Sequence, residues 1–356
     1  MGMIRRITVG FAIFCVCLIL FACENADVSL FEITMSEVQA HSGVAYYLSD
    51  QGQLYCPGVD RDSASFTVYI DQPKGLVAEN VKSFGECTGG GYYIDFNNNL
   101  YMWNENAIPL LGYYKSAEHI KILENVKFAT ASNNCIIYID MNSSLYLIGT
   151  FEKEKYSIEN PKFLGKDVVC AAVKNGTVLW AKSDGSLEIF GNTDSTIAEN
   201  LNAQFANESI TSIYLEKDFA VVLSNHRLWY YGDYNKLITG KESQMINLTM
   251  LAEDVTKVSC SAKTIMALDT NGKALLWGRC ISNDARNTVS PLFDYYERYC
   301  LTQTAKYIFV SDSCVCYIDE NSMSNIYYAS GWPIFYGNST KDACVGIMRE
   351  PSKWIE

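Results

Sequence analysis

Histidine is the side chain most often used for catalysis and metal binding, and this chain holds few of them. Its 356 residues include His41, His119 and His226, far apart from one another. None stands in the His-x-x-x-His or Cys-x-x-Cys spacing that is typical of a zinc site. A Ser-His-Asp triad needs only to meet in space and stays open, but there is no Gly-x-Ser-x-Gly elbow. We therefore expect no catalytic residue, no metal and no cofactor.

Thirteen cysteines raise the question of a disulfide framework. Two precede Cys23 near the N-terminus. Cys135 and Cys314 hold equivalent positions in repeats that are not neighbours, and Cys314 and Cys316 alternate on one strand face, so a disulfide framework is disfavoured and we expect most of the rest to be small buried side chains. Cys280 and Cys300 are the exception, because they bracket the longest insert and could join its ends.

The turn Asp269–Gly272 resembles the start of a calcium loop but lacks the later carboxylates. We expect a structural type I′ turn there.

The segment Ala267–Gly278 is the clearest copy of a repeated hairpin. An apolar run stops at Asp269, turns through Asn271-Gly272 and resumes until Trp277-Gly278, a pattern that predicts two strands joined by a tight turn. The same frame recurs at Leu48–Gly58, Ile94–Trp103, Ile139–Gly149, Ala181–Gly191, Leu223–Gly232 and Ile318–Gly331.

Three apolar columns align the seven copies. The first, here called the anchor column, is Met35, Val81, Val126, Val168, Ile210, Val255 and Ala305. The second is Val38, Phe84, Ala129, Ala171, Ile213, Val258 and Ile308. The third is Leu48, Ile94, Ile139, Ala181, Leu223, Leu268 and Ile318. Successive anchors are 46, 45, 42, 42, 45 and 50 residues apart, a spacing typical of propeller blades.

These columns predict an all-β, seven-bladed β-propeller over residues 33–356. Each blade has room for an inner strand, the two hairpin strands and an outer strand, and Ile120–Leu123 and Met245–Met250 alternate as outer strands do. No helix longer than two turns is expected. Glu350–Glu356 falls at an eighth anchor position and would close the ring, since a closed ring leaves no open sheet edge. We expect one domain and a monomer.

Residues 1–22 have the proportions of a secretory signal peptide. Arg5 and Arg6 precede the apolar run Ile7–Phe21, which is shorter than the roughly 20 residues that span a bilayer. Leu20–Cys23 resembles a bacterial lipobox, so we expect cleavage before Cys23, lipidation of that residue and a polar tether over residues 23–32. The alternative is an ordinary signal peptide cleaved nearby. Lipidation predicts a bacterial membrane protein that faces the extracellular side.

The charge of the chain excludes one class of partner. Removal of residues 1–22 changes the formal net charge from −12 to −14, because it takes away two arginines and no acid. Nucleic-acid binding depends on Lys and Arg that neutralise phosphates. We expect no nucleic-acid partner, and membrane contact through the lipid anchor.

The strand ending Leu-Asp, the Asn-Gly turn and the strand ending Trp-Gly resemble the regulator of chromosome condensation repeat, most clearly over Val255–Gly278. The resemblance extends from Met35 to about Glu356 and implies a seven-bladed propeller. A histidine that many family members carry before the second strand is missing at Thr88–Gly91 and Ser261–Lys263. Nuclear members act on a small GTPase and bind chromatin, whereas exported bacterial relatives include propellers that inhibit β-lactamases. For an exported acidic chain, the resemblance implies binding to a protein.

Aromatic residues in the variable segments are the candidate ligand-binding residues, since Tyr and Trp are common at protein and sugar interfaces. They are Tyr113, Tyr114, Tyr234, Tyr295, Tyr296, Tyr299 and Trp332. They could instead cover the outer edges of blades. We predict that the insert Arg279–Thr304 projects as a binding loop, although Phe293 and Tyr295 alternate as in an outer strand. The predicted function is binding to an extracellular protein, with glycan binding as the alternative and a secreted hydrolase third.

Overall fold

The computed structural model describes residues 35–41, 44–55, 76–87, 90–104, 116–132, 134–191, 196–205, 207–281, 293–310, 314–320 and 324–328. The predicted signal peptide, Cys23, the tether and Glu350–Glu356 lie outside the described residues, as do Tyr113, Tyr114 and Trp332. Among the described residues, no helix has both the length and the apolar character needed to cross a bilayer.

The described residues form seven antiparallel sheets that follow one another along the chain. Sheet one contains β1 (Met35–His41), β2 (Val44–Ser49), β3 (Leu54–Tyr55) and β4 (Leu76–Ala78). Sheet two contains β5 (Val81–Cys87), β6 (Gly90–Asp95), β7 (Leu100–Asn104) and β8 (Ser116–Leu123). Sheet three contains β9 (Val126–Ser132), β10 (Cys135–Asp140), β11 (Leu145–Phe151), β12 (Glu154–Tyr156) and β13 (Lys162–Gly165). Sheet four contains β14 (Val168–Lys174), β15 (Thr177–Lys182) and β16 (Leu187–Gly191).

Helix α1 (Thr196–Phe205) follows sheet four. Sheet five contains β17 (Ile210–Leu215), β18 (Phe219–Ser224), β19 (Arg227–Asp233) and β20 (Ile246–Ala252), with helix α2 (Tyr234–Thr239) between the last two strands. Sheet six contains β21 (Val255–Ser261), β22 (Thr264–Asp269), β23 (Ala274–Ile281) and β24 (Phe293–Thr302). Sheet seven contains β25 (Ala305–Val310), β26 (Cys314–Asp319) and β27 (Ser324–Tyr328).

The sheets form a ring with the first strand of each sheet on the inside. Neighbouring first strands lie against one another, and β1 lies against β25 and β26, which brings the first sheet onto the last. This arrangement is a β-propeller and confirms the predicted fold class. The count of seven blades for the whole chain stays a prediction. We call the side with the turns between second and third strands the turn face, and the opposite side the loop face.

The three apolar columns are buried between sheets wherever their side chains are described. Val126, Val168 and Val255 of the anchor column are fully buried, as are Ile139 and Ala181 of the third. One core cluster joins sheets three and four and another joins sheets five and six. Full burial of one such aliphatic side chain contributes about 1.5–3 kcal/mol. The apolar residues that recur in each repeat are therefore those that contact the neighbouring sheets.

The hairpin turns also link neighbouring sheets through the backbone. The amide of Val126 donates to the carbonyl of Asn98 in the turn of sheet two (2.8 Å), and Val168 donates to Ser143 in the turn of sheet three (2.9 Å). Asn98 has a φ of 62° and Ser143 a φ of 60°. Asn tolerates this left-handed conformation better than most residues, which favours it in the turn.

The expected type I′ turn at Asp269–Gly272 is wrong. Gly272 has a φ of 80°, but Asn271 is not among the positive-φ residues, and a type I′ turn requires both. The amide of Gly272 donates to the carbonyl of Asp269 (3.2 Å), so a type I turn precedes a left-handed glycine. The carboxylate of Asp269 selects this turn because its Oδ1 accepts the amides of Asn271 and Lys273, both at 2.8 Å.

Helix α1 is a second departure from expectation, since the sequence was predicted to hold no helix longer than two turns. It spans ten residues and lies against β16 of sheet four, where an outer strand was expected. Leu201 and Phe205 are fully buried in the core between sheets four and five. Ile197, Leu201 and Phe205 recur every four residues, which is a helical spacing. The predicted outer strands of sheets two and five are confirmed as β8 and β20.

Candidate functional site

The structure brings two of the predicted aromatic residues together at the junction of sheets five and six. Tyr234 begins α2 and its hydroxyl donates to Oε1 of Glu297 on β24, at 2.9 Å. The ring of Tyr295, which is 40% exposed, lies over Gly240 at the end of α2. Tyr234, Tyr295 and Glu297 are called the tyrosine cluster below. The cluster combines exposed aromatic surface with a carboxylate.

Helix α2 is held in place by caps at both of its ends. Oδ1 of Asp233 accepts the amide of Lys236 (3.1 Å), and Gly240 at φ 74° donates its amide to the carbonyl of Lys236 (3.0 Å). Oδ2 of Asp233 also accepts the amides of Ser243 (2.6 Å) and Gln244 (3.0 Å) from the following loop. The hydrogen bonds from Ser243 are the main cause that lowers the pKa of Asp233 to about 2.

Aromatic rings pack against the tyrosine cluster on its core side. The rings of Phe219 and Tyr230 have centroids 5.3 Å apart, and Tyr230 meets Tyr234 edge-on at 6.2 Å. Leu237, on the buried side of α2, belongs to the core shared by sheets five and six. Burial and the hydrogen bond to Glu297 raise the pKa of Tyr234 to about 12, so this hydroxyl keeps its proton at neutral pH. The cluster therefore packs on buried side chains of sheets five and six.

Charged side chains surround α2 on the loop face. Nζ of Lys236 lies 2.9 Å from Oδ2 of Asp218 and 2.8 Å from Oε1 of Glu242. Hydrogen bonds to the two carboxylates raise the pKa of Lys236 above its ordinary value. Asp218 lies in the connection between β17 and β18, which places α2 on the loop face. Glu297 contacts Tyr234 and Arg279 lies opposite Tyr295 in the register of β23 and β24, so charges of both signs lie around the cluster.

The predicted projecting loop is wrong for the second half of the insert. Phe293–Thr302 forms β24, which pairs with β23 in the register Arg279 opposite Tyr295. Tyr296 and Tyr299 are half-buried and their ring centroids lie 4.8 Å apart. Tyr296 packs toward the core shared with sheet seven. The alternation of Phe293 and Tyr295 thus reflects strand pairing, and residues 282–292 lie outside the described residues.

Cys280 and Cys300 do not form the disulfide that their positions allowed. Both side chains are thiols. In the register of β23 and β24, Cys280 lies opposite Asp294 and Cys300 lies opposite Leu275, so the strands hold the two residues well apart. Cys280 is buried and Cys300 is exposed. Strand pairing, without a covalent link, joins the ends of the insert.

The two histidines with described side chains take part in packing and turn contacts. Nδ1 of His119 lies 3.2 Å from the hydroxyl of Tyr93, and its ring stacks on Trp103 with centroids 5.9 Å apart. Burial lowers the pKa of His119. His226 occupies a hairpin turn, with Nδ1 3.2 Å from the carbonyl oxygen of Val255. Within the described residues, no three His, Cys, Asp or Glu side chains form a group suited to a metal ion.

The sequence places Glu297 beside the tyrosines of the insert, but sequence reasoning missed Gly240, helix α2 and the contact between Glu297 and Tyr234. One signal was present, because Asp233 and Gly240 flank a six-residue segment as N-cap and C-cap residues do. Tyr234 and Glu297 are 63 positions apart in the sequence, and no local sequence pattern indicates that they are in contact.

No protein-family model matches the chain, and no curated protein sequence matches it. Solved structures do share its fold. Yeast RCC1 (Prp20) bound to Kap60 aligns with a TM-score of 0.56 at 14% identity, over 77% of this chain and 76% of Prp20. Human WBSCR16 aligns with a TM-score of 0.56 at 14% identity, over 79% of this chain and 85% of its own length. A structure of Prp20p from Saccharomyces cerevisiae, described with its binding to Gsp1p and histones, aligns at 0.56 and 13% identity over 76% and 77%.

These structural neighbours are RCC1-like β-propellers. The fold of this chain is therefore similar to the one that the hairpin repeat predicts. At such low identity the likeness concerns the fold, and the surface residues must be interpreted from this chain itself.

Proposed function

We propose that this chain is a protein-binding propeller that recognises another extracellular protein through the tyrosine cluster on its loop face. The observation that carries the proposal is the pairing of exposed Tyr295 with half-buried Tyr234. Two sheets supply these tyrosines, and helix caps, a hydrogen bond and packed rings hold them in place. Tyrosine offers a large contact area with few rotatable bonds, so ordering it on binding costs little entropy. Rigidly held aromatic residues are typical energetic centres of protein interfaces.

A partner surface that fits the cluster has an apolar contact for Tyr295 and charged groups around it. Glu297 accepts a hydrogen bond from Tyr234, Lys236 pairs with Asp218 and Glu242, and Arg279 lies opposite Tyr295. Charges of both signs are therefore available to position a partner. The binding of Kap60 by Prp20 supports the proposal only in that a propeller of this fold serves a protein interaction.

The first test compares Tyr295→Ala with wild type in capture of cross-linked partners from a bacterial envelope fraction. Once a partner is identified, its affinity is measured by calorimetry. Removal of an interface tyrosine is expected to cost more than about 1 kcal/mol, or about fivefold in Kd. Tyr156→Ala is the matched control, because Tyr156 is a half-buried tyrosine on β12 of sheet three. Equal affinity in Tyr295→Ala and Tyr156→Ala would refute the role of the cluster.

A glycan array and a panel of peptide and glycan substrates distinguish the alternatives. Binding to a glycan that is lost in Tyr295→Ala would replace a protein ligand with a carbohydrate. Turnover of any substrate by the purified chain would favour the secreted hydrolase instead. We expect no turnover at the tyrosine cluster, because Tyr234 keeps its proton at neutral pH and no nucleophile with a general base is described in the cluster.

We further propose that lipidated Cys23 holds the propeller on the outer side of a bacterial membrane, as a monomer. The proposal rests on the apolar run and the lipobox-like Leu20–Cys23. A diacylglyceryl group supplies two acyl chains, which is enough for stable anchoring. Cells fed an alkyne-bearing palmitate should label the wild-type protein and not Cys23→Ala. Equal labelling of the two proteins would contradict lipidation at this residue.

A further inference from the structure

The turn face carries a ring of exposed residues around the inner strands. In the six sheets whose anchor side chain is described, sheets two to seven, the anchor residue is buried and the next residue is exposed. We call these exposed residues the inner ring, and they are Lys82, Lys127, Val169, Thr211, Thr256 and Lys306. The six include three lysines and no acid, although the chain has 40 acidic and 28 basic residues. The ring is therefore a basic feature of an acidic protein.

Apolar side chains lie beside this ring on sheets two, three and four. Phe96 is 58% exposed in the turn of sheet two, Met141 is 51% exposed in the turn of sheet three, and Val169 is 39% exposed. Scattered single apolar residues need no explanation, but three that occupy equivalent or adjacent positions on consecutive sheets form a shared surface. With Lys82 and Lys127 they are called the turn-face patch.

Hydrogen bonds between the sheets make the turn-face patch continuous. Nζ of Lys82 donates to Oδ1 of Asn98 (2.9 Å), and the carbonyl of Asn98 accepts the amide of Val126, the neighbour of Lys127. The amide of Met141 donates to the carbonyl of Asn125, at 2.9 Å.

Sheet four joins in the same way, because the amide of Val168 donates to the carbonyl of Ser143 (2.9 Å) and so places Val169 beside the turn that holds Met141. The ring of Phe96 lies over Gly52, in the turn of sheet one. These hydrogen bonds therefore link the segments that carry the apolar and basic residues on sheets two, three and four.

We propose that the turn-face patch binds an acidic polypeptide segment that carries apolar side chains. Lys82 and Lys127 offer two positive charges next to Phe96, Met141 and Val169, which suits a chain that alternates carboxylates with apolar residues. Opposite charge favours encounter and register, while apolar burial adds affinity. The patch lies on the face opposite the tyrosine cluster.

An anionic membrane is the competing class of ligand, and the surrounding charges disfavour it. Glu79, Glu124 and Asp167 are exposed on the crossings that lead from outer strands to the inner ring. A flat anionic surface would approach these acids together with the lysines. A peptide can contact the two lysines and the apolar side chains without covering the whole face. We therefore choose a single acidic segment as the ligand.

The test uses the full chain in detergent and a fluorescein-labelled twelve-residue peptide of alternating Glu and Leu, followed by fluorescence anisotropy. Lys82→Glu with Lys127→Glu should weaken peptide binding about tenfold, since each reversal removes an attraction and adds a repulsion. The matched control is Lys153→Glu with Lys155→Glu, two exposed lysines at the outer edge of sheet three, which changes net charge equally. This control and Tyr295→Ala should bind the peptide as wild type does.

Two further arms keep the proposal falsifiable. Lys82→Gln with Lys127→Gln, a milder pair, should give a smaller loss of affinity, and far-ultraviolet circular dichroism checks that each variant is folded. Absence of peptide binding, or equal binding by the charge-reversed and control variants, would overturn the proposal. A preference for phosphatidylglycerol over phosphatidylcholine vesicles that depends on Lys82 and Lys127, without peptide binding, would assign the patch to a membrane instead. None of these outcomes depends on the partner of the tyrosine cluster.

Discussion

Gly278 ends the Trp-Gly signature of the sixth repeat, and replacing it with alanine tests why that glycine is present. Its φ is 97°, a conformation that residues with a Cβ rarely adopt. A Cβ at this position would lie 2.2 Å from the carbonyl oxygen of Lys263 and 3.1 Å from Cδ1 of Leu237. The backbone carbonyl cannot rotate away as a long side chain could. The substitution therefore forces the strand and its neighbours apart.

A second glycine provides the matched control for the backbone conformation alone. Gly176 has a φ of 76°, and a Cβ there would meet nothing closer than Cγ of Glu152 at 3.9 Å. Gly176→Ala should therefore cost only the conformational strain, about 1 kcal/mol. Gly278→Ala carries similar strain together with overpacking against backbone, which typically costs about 1–3 kcal/mol. We expect a total loss of about 3 kcal/mol for Gly278→Ala.

The free energy of unfolding is measured by guanidinium titration with tryptophan fluorescence and circular dichroism as independent probes. Coincident transitions would show that one free energy describes each variant. Because Leu237 lies on the buried side of α2, Gly278→Ala should also weaken binding by the tyrosine cluster, whereas Gly176→Ala should not. If the two variants lose the same stability, the contact with Lys263 is not what requires glycine at the end of the repeat.

Two further predictions concern the inner strands. The hydroxyl of Tyr214 donates to the carbonyl of Val258 and so joins sheets five and six. Tyr214→Phe removes this hydrogen bond and should lower the free energy of unfolding by about 1 kcal/mol. An unchanged guanidinium midpoint would contradict this prediction. Burial raises the pKa of Glu37, although the positive charge of Lys257 opposes this shift. The folded chain therefore holds the Glu37 proton more tightly than the unfolded chain does. The free energy of unfolding should fall as pH rises from the ordinary glutamate pKa through the raised pKa. Glu37→Gln should flatten that fall in unfolding midpoints measured from pH 4 to 8, and an identical pH profile for wild type and Glu37→Gln would show that Glu37 does not cause it.

Much of the fold was predictable because burial acts on every repeat in the same way. Ile139 and Val168 stand in columns that face neighbouring sheets, so each repeat must place an apolar residue there, and the spacing shows in the sequence. The position of the turn at Asp269 was also local information. Its type was not, because the carboxylate of Asp269 accepts two backbone amides and thereby selects a type I turn over the type I′ turn expected from Asn-Gly.

The variable segments follow a different rule, since their contacts depend on where the ring places them. Tyr234 and Tyr295 were both identified as candidates, but nothing in their local sequence indicates that α2 and β24 meet. The sequence of the insert is compatible with a loop or with a strand, and the pairing of Arg279 with Tyr295 in the structure shows that its second half is a strand. A repeat pattern records which side chains face the next sheet. Which variable segments touch depends on the stacking of neighbouring sheets and the lengths of their connections, and those are properties of the closed tertiary structure.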